Sequence, residues 1–140
     1  MKRIKFFFYL FALITLSNCV SQREVVRCAI NKKGKPCMTN GIGPDTFDSP
    51  GLAYYCHNKE IPRNLIDQSI GEGKTISKSE LKPGDLMFWK TDGNGISITS
   101  IYIGNGRMIY ASKPGYSVKE TASSSSYWDS KFVYAKRYWK

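Results

Sequence analysis

The pattern of residues changes near the middle of the chain, and this change limits the fold more than any other feature of the 140 residues. From residue 86 onward, aromatic and β-branched residues are concentrated in short segments, which is typical of strands. These segments are residues 86–89, 96–103, 107–110 and 132–138. The Asn105-Gly106 pair favours a tight hairpin turn, because these residues tolerate a positive φ. The second half is therefore predicted to form an antiparallel sheet.

The first half carries helical patterns instead. Residues 22–30 have apolar side chains at helical spacing, and a glycine- and proline-rich loop, residues 33–46, follows them. A second helix is predicted to begin near Asp48, a good N-cap, with Pro50 in its first turn, where a missing N–H costs nothing. A short third helix is predicted to start at residues 61–63. Helices followed by an antiparallel sheet indicate one α+β domain.

Residues 1–21 are predicted to be an export signal, which leaves residues 22–140 as the folded domain. Three of the first five residues are basic, and an apolar run follows at residues 6–16. This run is too short to span a bilayer, which takes about 20 residues. The protein is therefore expected to be secreted, periplasmic or on the cell surface. Cleavage near Cys19 or Ser21 is favoured, and lipidation of Cys19, which would place the protein on a membrane, is the alternative.

The charge of the chain is strongly positive. It has 21 Lys and Arg residues against 11 Asp and Glu, a net charge of +10, and loss of the three basic residues of the signal would leave 18 against 11, or +7. Such a balance favours anionic surroundings such as wall polymers. The basic residues are scattered and do not alternate with aromatic residues in a stripe, so no nucleic-acid partner is expected.

Cys28, Cys37 and Cys56 remain after the signal, in a protein expected to meet an oxidising compartment. Three cysteines allow at most one disulfide within the chain, and a Cys28–Cys37 pair could close the loop after the first helix. Cys56 would then be a small buried side chain. Zinc sites need paired Cys or His ligands, and with one histidine in the chain we expect neither a metal nor another cofactor.

Five segments, taken in order, resemble the NlpC-type cell-wall endopeptidases, which have a papain-like fold. They are a glycine-rich loop at residues 34–46, Phe-Asp-Ser-Pro-Gly-Leu at 47–52, Ile-Pro-Arg at 61–63, Leu-Lys-Pro-Gly-Asp-Leu-Met-Phe at 81–88 and Ile-Tyr-Ile-Gly-Asn-Gly-Arg-Met-Ile-Tyr-Ala at 101–111. The resemblance implies a papain-like domain in which the N-terminal helices pack on the antiparallel sheet. It also implies a groove that holds a peptide of peptidoglycan.

The catalytic positions of that family are all replaced here. The resemblance places Ser49 where the family has its nucleophilic cysteine, Ile98 where it has histidine, Tyr110 where it has a further polar residue, and Cys37 where it has an aromatic residue. A serine needs a neutral base within hydrogen-bond reach, and Ile98 has no titratable atom. His57 lies eight residues past Ser49, which on one helix is roughly 12 Å along the axis. No intact catalytic site is therefore expected.

These replacements predict an exported pseudoenzyme that binds a peptidoglycan fragment or a protein partner. The residues expected to contribute to binding are Cys37, Asp48, Trp89, Tyr102, Arg107 and the degenerate position Tyr110. Aromatic side chains would form the walls, and Arg107 would pair with a carboxylate. One alternative is a divergent hydrolase that uses Ser49 or Cys37, and another is a structural or effector protein with a closed groove. The sequence leaves the oligomeric state open.

Overall fold

The structure is a computed structural model that describes residues 20–140. Three of its four α-helices precede the first strand, as the sequence predicts. In chain order the elements are α1 (Gln22–Asn31), α2 (Ser49–Cys56), α3 (Leu65–Ile70), β1 (Lys74–Ile76), a 3-10 turn (Lys78–Glu80), β2 (Leu86–Trp89), β3 (Ile98–Gly104), β4 (Arg107–Tyr110), β5 (Lys119–Ala122), α4 (Ser126–Asp129) and β6 (Phe132–Arg137).

Six strands form one sheet in the order β1-β6-β2-β3-β4-β5, and every neighbouring pair is antiparallel. The hairpin between β3 and β4 turns at Asn105 and Gly106, which both have positive φ, as the Asn-Gly pair predicts. The α+β fold predicted from the order of the elements is confirmed.

Both faces of the sheet are covered, and this explains why all four residues of β2 are buried. Side chains alternate along a strand. Leu86 and Phe88 therefore join the core beneath α1 and α2, while Met87 and Trp89 join a second cluster with Trp128 of α4. The helix side is the one that positions the candidate site, because α2 packs directly on β3.

Local signals fix the start of each of the first two helices. A capping box at Ser21 and Glu24 begins α1, since each side chain accepts a hydrogen bond from the other's backbone N–H. Asp48 is the N-cap of α2, and its carboxylate accepts from the N–H of Gly51 at 2.7 Å. The first turn of α2 lies so close to the preceding loop that a Cβ on Gly51 would overlap the carbonyl oxygen of Gly41. The beginning of α2 is thus held rigidly.

Four elements differ from the sequence prediction, and one of them is α4, for which no helix is predicted at Ser126–Asp129. The third helix begins at Leu65 rather than at residues 61–63, because Asn64 stays extended as its N-cap and Arg63 reaches back to Asp48. The edge strands β1 and β5 were not predicted. β1 is mostly exposed and β5 is mostly half-buried, and they pair through their backbones with β6 and β4, so they lack the apolar pattern of a buried strand.

The predicted Cys28–Cys37 disulfide is wrong, and so is the expectation that Cys56 is free. Cys28 is bonded to Cys56, with their Cα atoms 5.4 Å apart, and Cys37 is a buried free thiol. The packing of α1 against α2 brings Cys28 and Cys56 together, whereas the backbone N–H of Cys37 donates to Tyr116 in a different part of the fold. The disulfide therefore joins two helices and does not close the first loop.

The predicted export signal, residues 1–21, lies outside the described residues except for Val20 and Ser21. Val20 is buried in the core, and Ser21 caps α1, so the folded unit includes both residues. Within residues 20–140, no helix combines the length and the apolar character that a membrane crossing requires.

Candidate functional site

Ser49, which the resemblance predicts to stand at the position of the family nucleophile, is fixed to the backbone of β3. Its Oγ accepts a hydrogen bond from the N–H of Thr99 at 2.6 Å and donates one to the carbonyl oxygen of Thr99 at 3.0 Å. The residue is only 6% exposed. Its hydroxyl proton points at a peptide carbonyl, which does not take up a proton at neutral pH. Ser49 therefore acts as a link between α2 and β3.

A second buried polar residue completes this link. Gln68 of α3 accepts a hydrogen bond from the hydroxyl of Thr99 at 3.1 Å and donates one to the carbonyl oxygen of Pro50 at 2.9 Å. Gln68 and Thr99 are both almost fully buried. A buried polar network of this kind is stable only when its members are satisfied, and here the donors and acceptors match. The network holds the start of α2 in one position relative to β3 and α3.

Ile98 begins β3 and Tyr110 ends β4, and both line one groove. Ile98 brings only apolar atoms to this place. The pKa of Tyr110 is raised chiefly by burial, and the nearby Tyr127 and Cys37 raise it further. The ring of Tyr110 packs edge-on against Trp128, with the ring centroids 5.4 Å apart. At neutral pH its phenol is protonated, so it is a hydrogen-bond donor and not a base.

The groove beside these positions is open and largely aromatic. Its volume is about 630 Å³. Its lining residues are Thr91, Ser97, Ile98, Tyr110, Ser112, Lys113, Tyr116, Lys119, Tyr127 and Trp128. Tyr116 and Tyr127 are each about half exposed, at 51% and 52%. The cleft is of a size that holds a small ligand.

Asp48 and Cys37, which were predicted to contribute to binding, serve the fold. Asp48 caps α2 with one carboxylate oxygen and pairs with Arg63 at 2.7 Å through the other. Cys37 is 2% exposed, and its N–H supports the loop that carries Tyr116. Neither side chain lines the groove.

Trp89, Tyr102 and Arg107 do not line the groove either. Trp89 is fully buried, and its Nε1–H donates to the Ser100 hydroxyl at 2.8 Å. The Tyr102 hydroxyl accepts from a backbone N–H in the β3–β4 hairpin at 3.1 Å, and Arg107 pairs with Glu120 at 3.0 Å. Of the aromatic residues singled out in the sequence, only Tyr110 reaches the groove.

His57, the single histidine of the chain, is not part of the site. It caps the far end of α2 and is 1% exposed. Its Nδ1 donates to the carbonyl oxygen of Ala53 at 2.7 Å, and its Nε2 has no hydrogen-bond partner among the described residues. Burial lowers its pKa to about 4, despite the opposing effect of the bond to Ala53. The histidine is therefore neutral at physiological pH and remote from Ser49.

The sequence reading missed the groove residues of the loop before β5 and of α4. Lys113, Tyr116 and Lys119 come from that loop and from the first residue of β5, and Tyr127 and Trp128 come from α4. One signal was present, because Tyr116 lies in a Lys-Pro-Gly-Tyr segment that has no helix or strand in which to bury an aromatic ring. The other residues lie on short elements with no distinctive motif.

Known proteins place this arrangement in a family. The NlpC/P60 family matches residues 34–137. The murein DD-endopeptidase MepH of Escherichia coli (strain K12) is 34% identical over 126 residues, which is 82% of this chain and 46% of that enzyme. The gamma-DL-glutamyl hydrolase of Bacillus subtilis (strain 168) is 31% identical over 124 residues, 84% of this chain and 30% of that enzyme. The chain thus spans less than half the length of these relatives.

Solved structures agree with this assignment. An NlpC/P60 family protein from Bacillus cereus ATCC 10987 has a TM-score of 0.78 and 27% identity, over 87% of this chain and 41% of its own. The NlpC/p60 domain of the peptidoglycan hydrolase SagA has a TM-score of 0.69 and 30% identity, over 84% of this chain and 98% of its own. The resemblance seen in the sequence is confirmed, and the chain belongs to the NlpC/P60 family.

Proposed function

We propose that this NlpC/P60 domain acts outside the cytoplasm, where it binds peptides of the bacterial cell wall without cleaving them. The observation that carries the proposal is the pair of hydrogen bonds between the Ser49 hydroxyl and the backbone of Thr99. They occupy the hydroxyl as donor and as acceptor.

Cleavage would need a nucleophile that loses its proton to a base as it attacks the peptide carbonyl. Ser49 has no such base, since Ile98 is aliphatic and His57 lies at the other end of α2. Cys37 is a buried thiol, and the titratable neighbour it has at the groove, Tyr110, holds its own proton at neutral pH. Neither of the two side chains that could attack a peptide therefore has a partner to activate it.

Binding of a peptide requires a complementary surface but no activated nucleophile, and the groove offers such a surface. Its aromatic walls offer flat apolar surface and phenolic hydroxyl groups, the usual combination at sites for small polar ligands. The related enzymes are named for murein, glutamyl and peptidoglycan hydrolysis, which supports a cell-wall peptide as the ligand. The predicted export signal would bring the domain to the side of the membrane where such peptides occur.

The test combines calorimetry with mass spectrometry. A peptidoglycan stem tetrapeptide is titrated into the protein, and the peptide is then recovered and weighed. We expect saturable binding in the micromolar range, about 8 kcal/mol, with the peptide intact. Cleavage that is lost in Ser49→Ala or Cys37→Ser would refute the proposal in favour of a divergent hydrolase.

Two tyrosine variants locate the binding surface. Tyr127→Ala removes an exposed groove ring, and we expect it to weaken binding by about tenfold, the loss of one aromatic contact. Tyr102→Ala is the matched control, because Tyr102 lies outside the groove. Equal losses from the two variants would show that the ligand binds elsewhere.

A further inference from the structure

We propose that Lys113 and Lys119 form a carboxylate-recognition site at the rim of the groove, so that the ligand class is an anionic peptide with free carboxylates. This inference rests on the proposed binding function and specifies its chemistry. Lys113 lies in the loop before β5, and Lys119 is the first residue of β5. Both side chains are exposed, and both line the groove.

The two ammonium groups lie near the same aromatic ring, that of Tyr116. The Nζ atom of Lys113 and that of Lys119 each lie 5.3 Å from the centroid of this ring. The two Nζ atoms are therefore separated by no more than twice that distance. An ammonium group at this distance from a tyrosine ring is attracted by its electron-rich face. Tyr116 thus has two positive charges within cation–π distance at the rim of the groove.

No negative charge of the described chain compensates this pair. Neither lysine takes part in an ion pair within residues 20–140, and none of the side chains that line the groove is acidic. The nearest acidic residue in sequence, Glu120, is already shared by Lys33 and Arg107. A carboxylate bound at the rim would therefore be attracted by both lysines, with no acidic side chain of the groove to compete with it.

The groove then has two chemically distinct regions. Tyr127 and Trp128 of α4 present aromatic surface, and the two lysines present positive charge. A peptide that carries carboxylates can place its apolar parts on the rings and its charges at the rim. Lysine is a compact point charge on a flexible stem, so the pair can serve carboxylates at more than one position of the ligand. Because the lysines are exposed, their contribution should fall as salt is added.

The experiment compares a stem peptide with free carboxylates and the same peptide with its carboxylates amidated, by calorimetry at low salt. For the wild-type protein we expect amidation to weaken binding by about tenfold, the effect of two exposed ion pairs. For Lys113→Ala/Lys119→Ala we expect the two peptides to bind within about twofold of each other. The coupling between the lysines and the carboxylates is thereby measured directly.

The matched control is Lys74→Ala/Lys82→Ala, which removes the same net charge from exposed positions outside the groove. This variant should discriminate between the two peptides as the wild type does. Equal binding of both peptides to the wild type would overturn the carboxylate site and leave the proposed function standing. The carboxylate site would also be overturned if Lys113→Ala/Lys119→Ala and Lys74→Ala/Lys82→Ala reduced the discrimination between the two peptides equally. The attraction for carboxylates would then come from the overall charge of the protein. No binding of either peptide would overturn both proposals.

Discussion

Acidification should destabilise the protein through His57, which is buried as a neutral side chain. Its Nδ1–H bonds to Ala53, and its Nε2 has no partner among the described residues. A proton on Nε2 would therefore place an unpaired charge in a site that is 1% exposed. The titratable neighbours that line the small cavity beside it are Glu60, Tyr138 and Lys140.

The magnitude follows from the two pKa values. The pKa of His57 is about 4 in the folded protein and about 6.5 in an unfolded chain. The interval is about 2.5, and each whole step of pKa is worth about 1.4 kcal/mol, so the full effect is about 3 kcal/mol. Because the folded pKa is the lower one, the unfolded chain binds the proton more readily. The stability is complete above about pH 6.5 and is lost as the pH falls towards about 4.

Urea unfolding, followed by tryptophan fluorescence, measures this loss. Between about pH 7.5 and pH 5, His57 should account for about 2 kcal/mol of the fall in the free energy of unfolding. His57→Asn is the matched variant, because an asparagine amide can still donate to Ala53 but does not titrate. Its absolute stability will be lower, since it leaves a cavity, so the comparison is between the slopes with pH. The carboxylates of the protein also change the free energy of unfolding with pH, but they do so equally in the wild type and in His57→Asn.

The reasoning would be refuted if the wild type and His57→Asn lost stability in parallel over this range. That result would mean that the histidine is protonated in the folded protein, or that its site opens to water. The reasoning would also be contradicted if the free energy of unfolding fell more steeply with pH in His57→Asn than in the wild type.

Two further predictions concern the disulfide and the catalytic positions. Reduction of the Cys28–Cys56 bond, which joins residues separated by 28 positions, should lower the free energy of unfolding by about 3–4 kcal/mol. Urea unfolding with and without reductant measures this change. A loss below about 1 kcal/mol would contradict the prediction. The Ser49→Cys/Ile98→His double variant should cleave a cell-wall peptide slowly, while neither single variant does, because a thiolate needs its imidazole partner. A double variant that binds the peptide but leaves it intact by mass spectrometry would contradict this prediction.

Features with local causes could be predicted from the sequence. Asp48 and Pro50 determine where α2 begins, because a cap and a first-turn proline act within a few residues. The Asn105-Gly106 turn likewise follows from the φ preferences of two residues. The motif order identified the family, and it also predicts that Ser49 and Ile98 stand where the family has its nucleophile and its base.

Only the tertiary structure decided what the remaining residues do. The bond between Ser49 and Thr99 joins positions 50 residues apart, and the disulfide joins Cys28 to Cys56 rather than to the nearer Cys37. Such contacts depend on how the helices pack on the sheet, and no short segment encodes that packing. The same holds for the groove, whose rings and lysines come from separate strands, a loop and a short helix. The sequence by itself determined the family and the fold class, because these depend on residue identity and local preference. Long-range packing decided the buried link, the disulfide and the groove.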